Sequence, residues 1–371
     1  DLGEQAVLPG LINSHCHLDY TAMAGKIPPT KYFSDWIKAL LALKAHWSFT
    51  EYAQSWLEGA RMLARYGVTT VADIESVPEL IPDAWLATPL RVISFFEMTG
   101  VKSRREPQQI LDEALEKIAS LPRANGRCAG ALSPHAPYST QPELLRLTAA
   151  AAKEQKHLVS IHVAESEEEF DMFMHPRGML YTWLKTQRPM NDCGQVSPVQ
   201  HLNRCGLLGP NLLAIHANYL APGDAALLGQ TGTTVVHCPR SHAYFRHQRF
   251  PRSEYSQHQV NVCLGTDSLV TVLKAPSAPL ELNLFAEMQM FAAQFPEISP
   301  RDILQMVTIN AAHALHRQGD LGAIVPGASA DLIAVPFAGP DTDTHIFESI
   351  VHHQGPVAAC MIDGEWVTSP A

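Results

Sequence analysis

Leu8-Pro9-Gly10-Leu11-Ile12-Asn13-Ser14-His15-Cys16-His17 is a short apolar run that ends in two histidines spaced i, i+2. Side chains on a β-strand alternate between faces, so His15 and His17 project the same way and can share one metal ion. An imidazole pair at a strand end needs further ligands from elsewhere in the chain.

Working outward, β-rich apolar segments recur at 11–14, 68–74, 90–96, 128–132, 158–163, 213–216, 233–237 and 260–264. Helix-like stretches fall between them at 51–66, 107–120, 142–154 and 223–228. Strands alternating with helices imply a parallel sheet, and eight such units predict an α/β fold closed as a (β/α)8 TIM-like barrel. Chemistry in such a barrel sits at the C-terminal ends of the strands. The predicted strands end, in order, at His15 and His17, Asp73 and Glu75, Glu97, His135, His162 and Glu165, His216, His237, and Asp267. Any one of these reads as a hydrogen-bonded core or loop residue, but together they crowd one rim with titratable groups. Imidazole nitrogen and carboxylate oxygen suit zinc and its neighbours, and three His with one Asp leave an open position for water. His15, His17, His162 and Asp267 are the expected ligand set.

Composition narrows the classes. The chain has 371 residues, 46% hydrophobic and 17% charged, with 27 prolines, enough for one large barrel domain or two ordinary ones. It has no run of 18 apolar residues and no charged-then-apolar leader, so the expectation is a soluble, cytoplasmic protein with no membrane partner. The seven cysteines are odd in number and lie mostly in apolar strand-like segments, which reads as reduced thiols. Net charge is −10, and the densest basic stretch, 240–252, reads as a solvated or substrate-facing loop. A nucleic-acid partner, which needs a wide positive footprint, is not expected.

Pro9-Gly10-Leu11-Ile12-Asn13-Ser14-His15-Cys16-His17-Leu18 resembles the first-strand signature of the amidohydrolase superfamily. His162-Val163-Ala164-Glu165, His216-Ala217, His237-Cys238-Pro239-Arg240-Ser241 and Gly265-Thr266-Asp267-Ser268 follow in the order used by its deaminase and chlorohydrolase branch, which includes methylthioadenosine/S-adenosylhomocysteine and aminofutalosine deaminases. Gly319-Asp320-Leu321-Gly322, with Pro326-Gly327-Ala328-Ser329-Ala330-Asp331-Leu332, is similar to the segment where that branch leaves the barrel for a small β-sandwich. The resemblance implies a barrel at 10–318 and a sandwich built from the chain termini, with 1–9 a remnant of its N-terminal segment and 319–371 its C-terminal part. Relatives carry some tens of residues ahead of the first strand, so an upstream segment is expected. A homodimer is the expected assembly.

The resemblance also implies one divalent metal, zinc first and iron second, on His15, His17, His162 and Asp267. Glu165 would be the proton shuttle, and His216 would orient the attacking hydroxide. Elementary chemistry agrees: a metal lowers the pKa of water from 15.7 to about 7, and Asp267 can accept the proton. Expelling ammonia from a ring carbon needs a proton at the adjacent ring nitrogen and another at the leaving amine, and the Glu165 carboxyl can deliver both. Glu167, Glu168 and Glu169 read as helix-start charges favoured by the dipole. The expected reaction is hydrolytic deamination of an amino-substituted N-heterocycle, an adenine-type nucleoside with an aminofutalosine-like one favoured.

Candidate substrate contacts are His135, in Ser133-Pro134-His135-Ala136-Pro137-Tyr138, and Trp36, in the loop after the first strand. His237 and Arg240 either line the pocket or buttress it. His242 stands where many relatives have Asn, and Lys44-Ala45-His46-Trp47 stands where adenosine-type relatives carry an acidic residue for ribose hydroxyls. An extra stretch after Glu165, around 172–184, is expected to reshape the rim. Competing readings are a chlorohydrolase, a cyclic amidohydrolase or a guanine/cytosine-type deaminase on the same scaffold, and a catalytically dead binding protein. Binuclear amidases use a carboxylated Lys where Ser133-Pro134-His135 stands here. The His-x-Glu with Pro-Cys-x-x-Cys and the His-Glu-x-x-His zinc motifs are absent.

Overall fold

The computed structural model describes residues 2–101, 105–122, 126–274, 280–340 and 342–369. Strand β1 (Gln5–Pro9) leads directly into the barrel strands β2 (Leu11–Cys16), β3 (Val68–Glu75), β4 (Arg91–Met98), β5 (Ala129–Pro134), β6 (Val159–Val163), β7 (Leu212–His216), β8 (Thr234–His237) and β9 (Val262–Leu264). β2 to β9 lie side by side in sequence order and pair in parallel. The ring closes where Thr266 and Asp267 both donate backbone N–H to the His15 carbonyl at 3.1 Å. Asn13 seals that seam: its amide donates to Thr266 Oγ1 at 2.8 Å and its carbonyl oxygen accepts from Thr266 N at 3.1 Å. All eight expected strands are therefore present, and the (β/α)8 reading holds.

The strands read as continuous apolar runs because both faces are covered. Ala72 and Ile74, Ile93 and Phe95, and Leu213 and Ile215 point into the barrel, where helix Ile309–Ala314 plugs the bottom. Their neighbours Val71, Val92 and Leu212 point outward onto the helices. Helix Phe49–Arg65 shows why the layers form: Ser48 and Glu51 make a capping box, and Tyr52, Trp56, Ala60 and Leu63 form the buried stripe. It ends at Gly67, whose φ of 76° turns the chain straight into β3.

β10 (Leu332–Pro336), β11 (Ala359–Ile362) and β12 (Glu365–Thr368) join β1 in a separate antiparallel sheet, ordered β1-β10-β11-β12. The sheet from the chain ends thus uses residues 5–9 in full register with β10. It is tied to the barrel by Arg91, whose Nε donates to Asp331 at 2.7 Å and whose Nη2 donates to Asp363 at 2.8 Å. Between β6 and β7 the extra stretch folds as three short helices, Glu167–Met174, Gly178–Leu184 and Pro198–Arg204, which build up the rim. Among the described residues no helix is long and apolar enough to cross a membrane.

Candidate functional site

His15 is the penultimate residue of β2 and His17 lies just past its end. The pairing of β2 with β3 shifts register between Leu11 and Ile12 and again between Asn13 and Cys16, just before the two rings. The two rings converge as expected, with centroids 4.9 Å apart and planes at 87°. His162, from β6, brings its Nε2 to 3.2 Å from His17 Nε2. Asp267 Oδ1 lies 3.6 Å from His15 Nε2 and 3.7 Å from His17 Nε2.

Both ring nitrogens of His15 and Nδ1 of His17 are buried without a hydrogen-bond partner. Leaving such groups unpaired costs about 1–3 kcal/mol each, a penalty that a bound cation removes at the nitrogens facing it. A tetrahedral ion with Zn–N bonds of about 2.0–2.1 Å spaces its ligand nitrogens about 3.3 Å apart. One ligand atom from each of His15, His17 and His162 falls within 4.8 Å of the others, so the donor set fits a metal. His162 Nδ1 donates to the His135 carbonyl at 2.9 Å, which fixes the tautomer that leaves Nε2 free as a lone-pair donor.

Burial keeps His17 and His162 neutral and ready to ligate. It lowers His17 well below the usual range, with His15 adding to the effect, and lowers His162 to about 3, helped by His15 and His135. For Asp267 burial pushes upward, but His15, 3.6 Å away, and the other neighbouring histidines outweigh it and hold the carboxyl well below its ordinary value. Asp267 therefore stays an acceptor.

Glu165 follows β6, 6% exposed, with Oε1 3.6 Å from His216 Nε2. Burial raises its pKa well above normal, and the charges of Asp267 and Glu169 raise it further. The backbone around this group is held in the left-handed region at Ala164 (φ 49°), His216 (69°), Ala217 (46°) and Asp267 (51°). Each such residue costs about 1–2 kcal/mol, and their gathering on adjoining strand ends marks a site whose geometry is imposed by the surrounding fold. Ala217 N and Asn218 N repay part of it by donating at 2.9 Å to the carbonyls of Val163 and Ala164.

These groups form the floor of a cavity of about 300 Å³. His135 and Trp36 line it, as expected. His135 Nδ1 is 2.6 Å from Ser139 Oγ, and burial lowers its pKa to about 4. Trp36 also packs on Phe33 and Phe245, so it serves wall and core together. The extra stretch supplies Trp183, Leu184 and Gln187 to the lining, with Trp183 and Leu184 in the same apolar cluster as Phe33 and Trp36.

A family model described as the amidohydrolase family matches residues 6–367. The chain belongs to the amidohydrolase family. Among similar proteins, a 5-methylthioadenosine/S-adenosylhomocysteine deaminase of Symbiobacterium thermophilum is 27% identical, over 99% of this chain and 82% of that protein. A 5'-deoxyadenosine deaminase of Methanoregula boonei is 30% identical, over 90% of this chain and 72% of that protein. The fold is that of an adenosine deaminase from Xanthomonas campestris solved with bound zinc, at a TM-score of 0.82 and 20% identity, over 98% of this chain and 81% of that one.

Several rim residues of this amidohydrolase barrel lie outside the cavity. His237 is fully buried, stacked 3.8 Å from Phe250, and Arg240 is turned away to pair with Glu287 at 2.5 Å and to donate to the Glu281 carbonyl at 3.0 Å. Both buttress the wall; neither lines it, because the turn after β8 rolls straight into helix Pro239–Phe245. His242 is buried behind the same wall, its ring 5.2 Å from that of His237. Asp73 accepts from Leu18 N and Trp56 Nε1, both at 2.8 Å, and so pins the loop that follows His17. Glu169, read as a helix-start charge, is fully buried: its Oε2 accepts from Glu165 N at 3.0 Å, and burial lifts its pKa to about 8. Sequence reasoning also passed over Tyr20, which stacks on His17 with centroids 5.1 Å apart. Its place three residues after the second ligand was the available signal.

Proposed function

We propose that this amidohydrolase is a deaminase that replaces the exocyclic amine of an adenine-type nucleoside with oxygen, releasing ammonia. His15, His17, His162 and Asp267 would hold one divalent ion, zinc before iron. When bound, such an ion lowers the pKa of water toward neutrality and so supplies a nucleophile at physiological pH.

The protein's own groups manage the protons. Asp267, held as a carboxylate, accepts the proton that water gives up as its oxygen bonds to the amino-bearing ring carbon. Glu165, which its surroundings keep protonated, delivers a proton to the ring nitrogen beside that carbon. Glu165, now a carboxylate, takes the proton of the new C–OH group and passes it to the amine as the C–N bond breaks, and the proton held by Asp267 returns to Glu165, so that water and the aminoheterocycle become an oxo-heterocycle and ammonia. His216, neutral and 3.6 Å from Glu165, orients the carboxyl and the water between them. Trp36, His135 and Trp183 pack against the heterocycle and its substituent.

The observation that carries this reading is the raised-pKa Glu165 on one cavity floor with His17, His162 and Asp267, where His15 converges on the same two imidazoles from behind the lining. Relatives named as deaminases of adenine nucleosides support the substrate class. The test is a release assay on adenosine, 5'-deoxyadenosine, methylthioadenosine, guanine, cytosine and an aminotriazine, with chloride release from a chlorotriazine measured alongside. Ammonia from the adenine nucleosides is expected. Chloride release without any ammonia would move the reaction to the chlorohydrolase class.

A further inference from the structure

The loop after β5, residues 135–139, gives His135, Tyr138 and Ser139 to the cavity lining, and one residue of the stretch after β6 braces it from outside the cavity. Arg188 Nη1 donates to the Pro137 carbonyl at 3.2 Å and to the Tyr138 carbonyl at 3.0 Å. Its Nε donates to the Pro189 carbonyl at 3.0 Å, and Nη2 donates to both carboxylate oxygens of Asp192. The N–H groups of the guanidinium are thus all engaged, although the side chain is only 2% exposed. Burying a charge this deeply is costly, and yet Nη1 is given to the backbone of a loop and not to the carboxylate. Among the described residues no other hydrogen bond reaches either loop carbonyl.

The Tyr138 carbonyl belongs to the peptide unit that also carries the Ser139 N–H, and a peptide unit is planar. Arg188 holds one side of that plane, while on the other Ser139 N donates to the Ala136 carbonyl at 3.1 Å. Ser139 in turn sets the His135 ring, its Oγ lying 2.6 Å from Nδ1. Ala136 and Tyr138 share an apolar cluster with Leu184 and Cys193, which presses the loop and the stretch after β6 together, but apolar contact is non-directional and does not fix the tilt of a peptide plane. Given the deaminase reading above, on which this rests and in which His135 packs against the heterocycle, we propose that Arg188 is a positioning residue that orients the His135 ring through the Tyr138–Ser139 peptide. Arg188 itself does not line the cavity. A lysine cannot take its place, because an ammonium is a point donor and cannot serve the two loop carbonyls, Pro189 and Asp192 in their separate directions.

The test compares the wild type with Arg188→Lys, Asp192→Asn and the double variant Arg188→Gln/Asp192→Asn, which removes both buried charges so that neither is left unpaired. Ammonia release from adenosine and 5'-deoxyadenosine, zinc content, melting temperature and hydrogen exchange over residues 133–141 are measured on each. Misplacing a contact by about 1 Å costs up to about 10²-fold, so Arg188→Lys and the double variant should lose roughly 10- to 100-fold in kcat/KM. The loss should fall mainly on KM, because the His135 contact is made in the ground state as well, and zinc content should not change. Exchange over the loop should quicken by about tenfold. Asp192→Asn leaves Nη1 on the loop carbonyls, so it should lower the melting temperature and yet keep kcat/KM within about threefold of the wild type. In a His135→Ala background Arg188→Lys should cost less than about threefold more, since residues that act through one another are not additive. A kcat/KM that follows melting temperature across the variants overturns the proposal, as does an Arg188→Lys loss that persists in full without the His135 ring, or unchanged exchange over the loop. Quickened exchange in the Arg188 variants, beside a wild type that releases no ammonia from any adenine nucleoside, would support the brace and overturn the proposed reaction instead.

Discussion

Replacing Glu165 with Gln changes one oxygen to an amide nitrogen and leaves the shape of the cavity floor intact. The backbone contacts survive: Glu165 N still donates to Glu169, and its carbonyl still accepts from Asn218 at 2.9 Å. What disappears is a proton donor with no substitute in reach. His216 is kept neutral by burial, and the nearest other lining carboxyls are Asp267, held ionised, and Glu97, beside His135. General acid–base assistance is worth about 10²- to 10⁴-fold, and two proton deliveries fall to this one group, so the expected loss in kcat is near 10⁴-fold, about 5 kcal/mol of barrier. Metal content should not change, because the ligands lie elsewhere. Thermal stability should hold or rise, because Asp267 and Glu169 both oppose a charge at this position. Coupled ammonia assay, elemental analysis and a melting curve on one preparation suffice. A variant that retains its metal and turns over within tenfold of the wild type would refute the shuttle.

Three further perturbations probe the frame. A Cβ on Gly265 would lie 2.8 Å from the His15 carbonyl oxygen and 2.9 Å from its nitrogen, so Gly265→Ala should displace His15 and cost about 1–3 kcal/mol with a marked loss of metal affinity, read by metal titration against a chelator; unchanged affinity would show the seam to be slack. Arg91 and Asp331 are each 4% exposed at the side chain, so Arg91→Met should destabilise by about 3–5 kcal/mol in urea unfolding, and adding Asp331→Asn should recover part of it; a change under about 1 kcal/mol would contradict a buried pair. Burial raises Glu75 to about 8, so the folded state holds a proton that the unfolded state releases near 4.5, and wild-type stability falls as pH climbs through that window. Glu75→Gln should therefore match the wild type near pH 5 and exceed it by a few kcal/mol at pH 8, whereas parallel pH profiles would place the loss elsewhere.

The barrel could be read from the chain because strands covered on both faces leave unbroken apolar runs, as 68–74 and 90–96 do, and because each run ends in a polar residue at the rim. The histidine and Asp267 positions were readable for the same reason: a strand end fixes where a residue sits. It does not fix where the side chain turns. Asp73 and Glu75 end a strand as His162 does, yet Asp73 bonds the Trp56 indole and Glu75 accepts from Ser94 at 2.5 Å, both within the wall. Arg240 was drawn off by Glu287, a residue on a helix 47 positions later that no local pattern reveals. Glu169 turned inward because the Ser166 cap sets the first turn of its helix under Glu165. The contribution of Trp183 and Gln187 depends on how the helices after β6 lean over the mouth, a matter of tertiary packing alone.

The central claim is that one ion, held by His15, His17, His162 and Asp267, is required for deamination. The most direct measurement strips metal from the purified protein with a chelator, then follows ammonia release from adenosine during stepwise zinc addition. Activity is predicted to be absent from the metal-free protein and to rise linearly to a plateau at one ion per chain. Full turnover without metal, or a plateau only at two ions, would contradict the account.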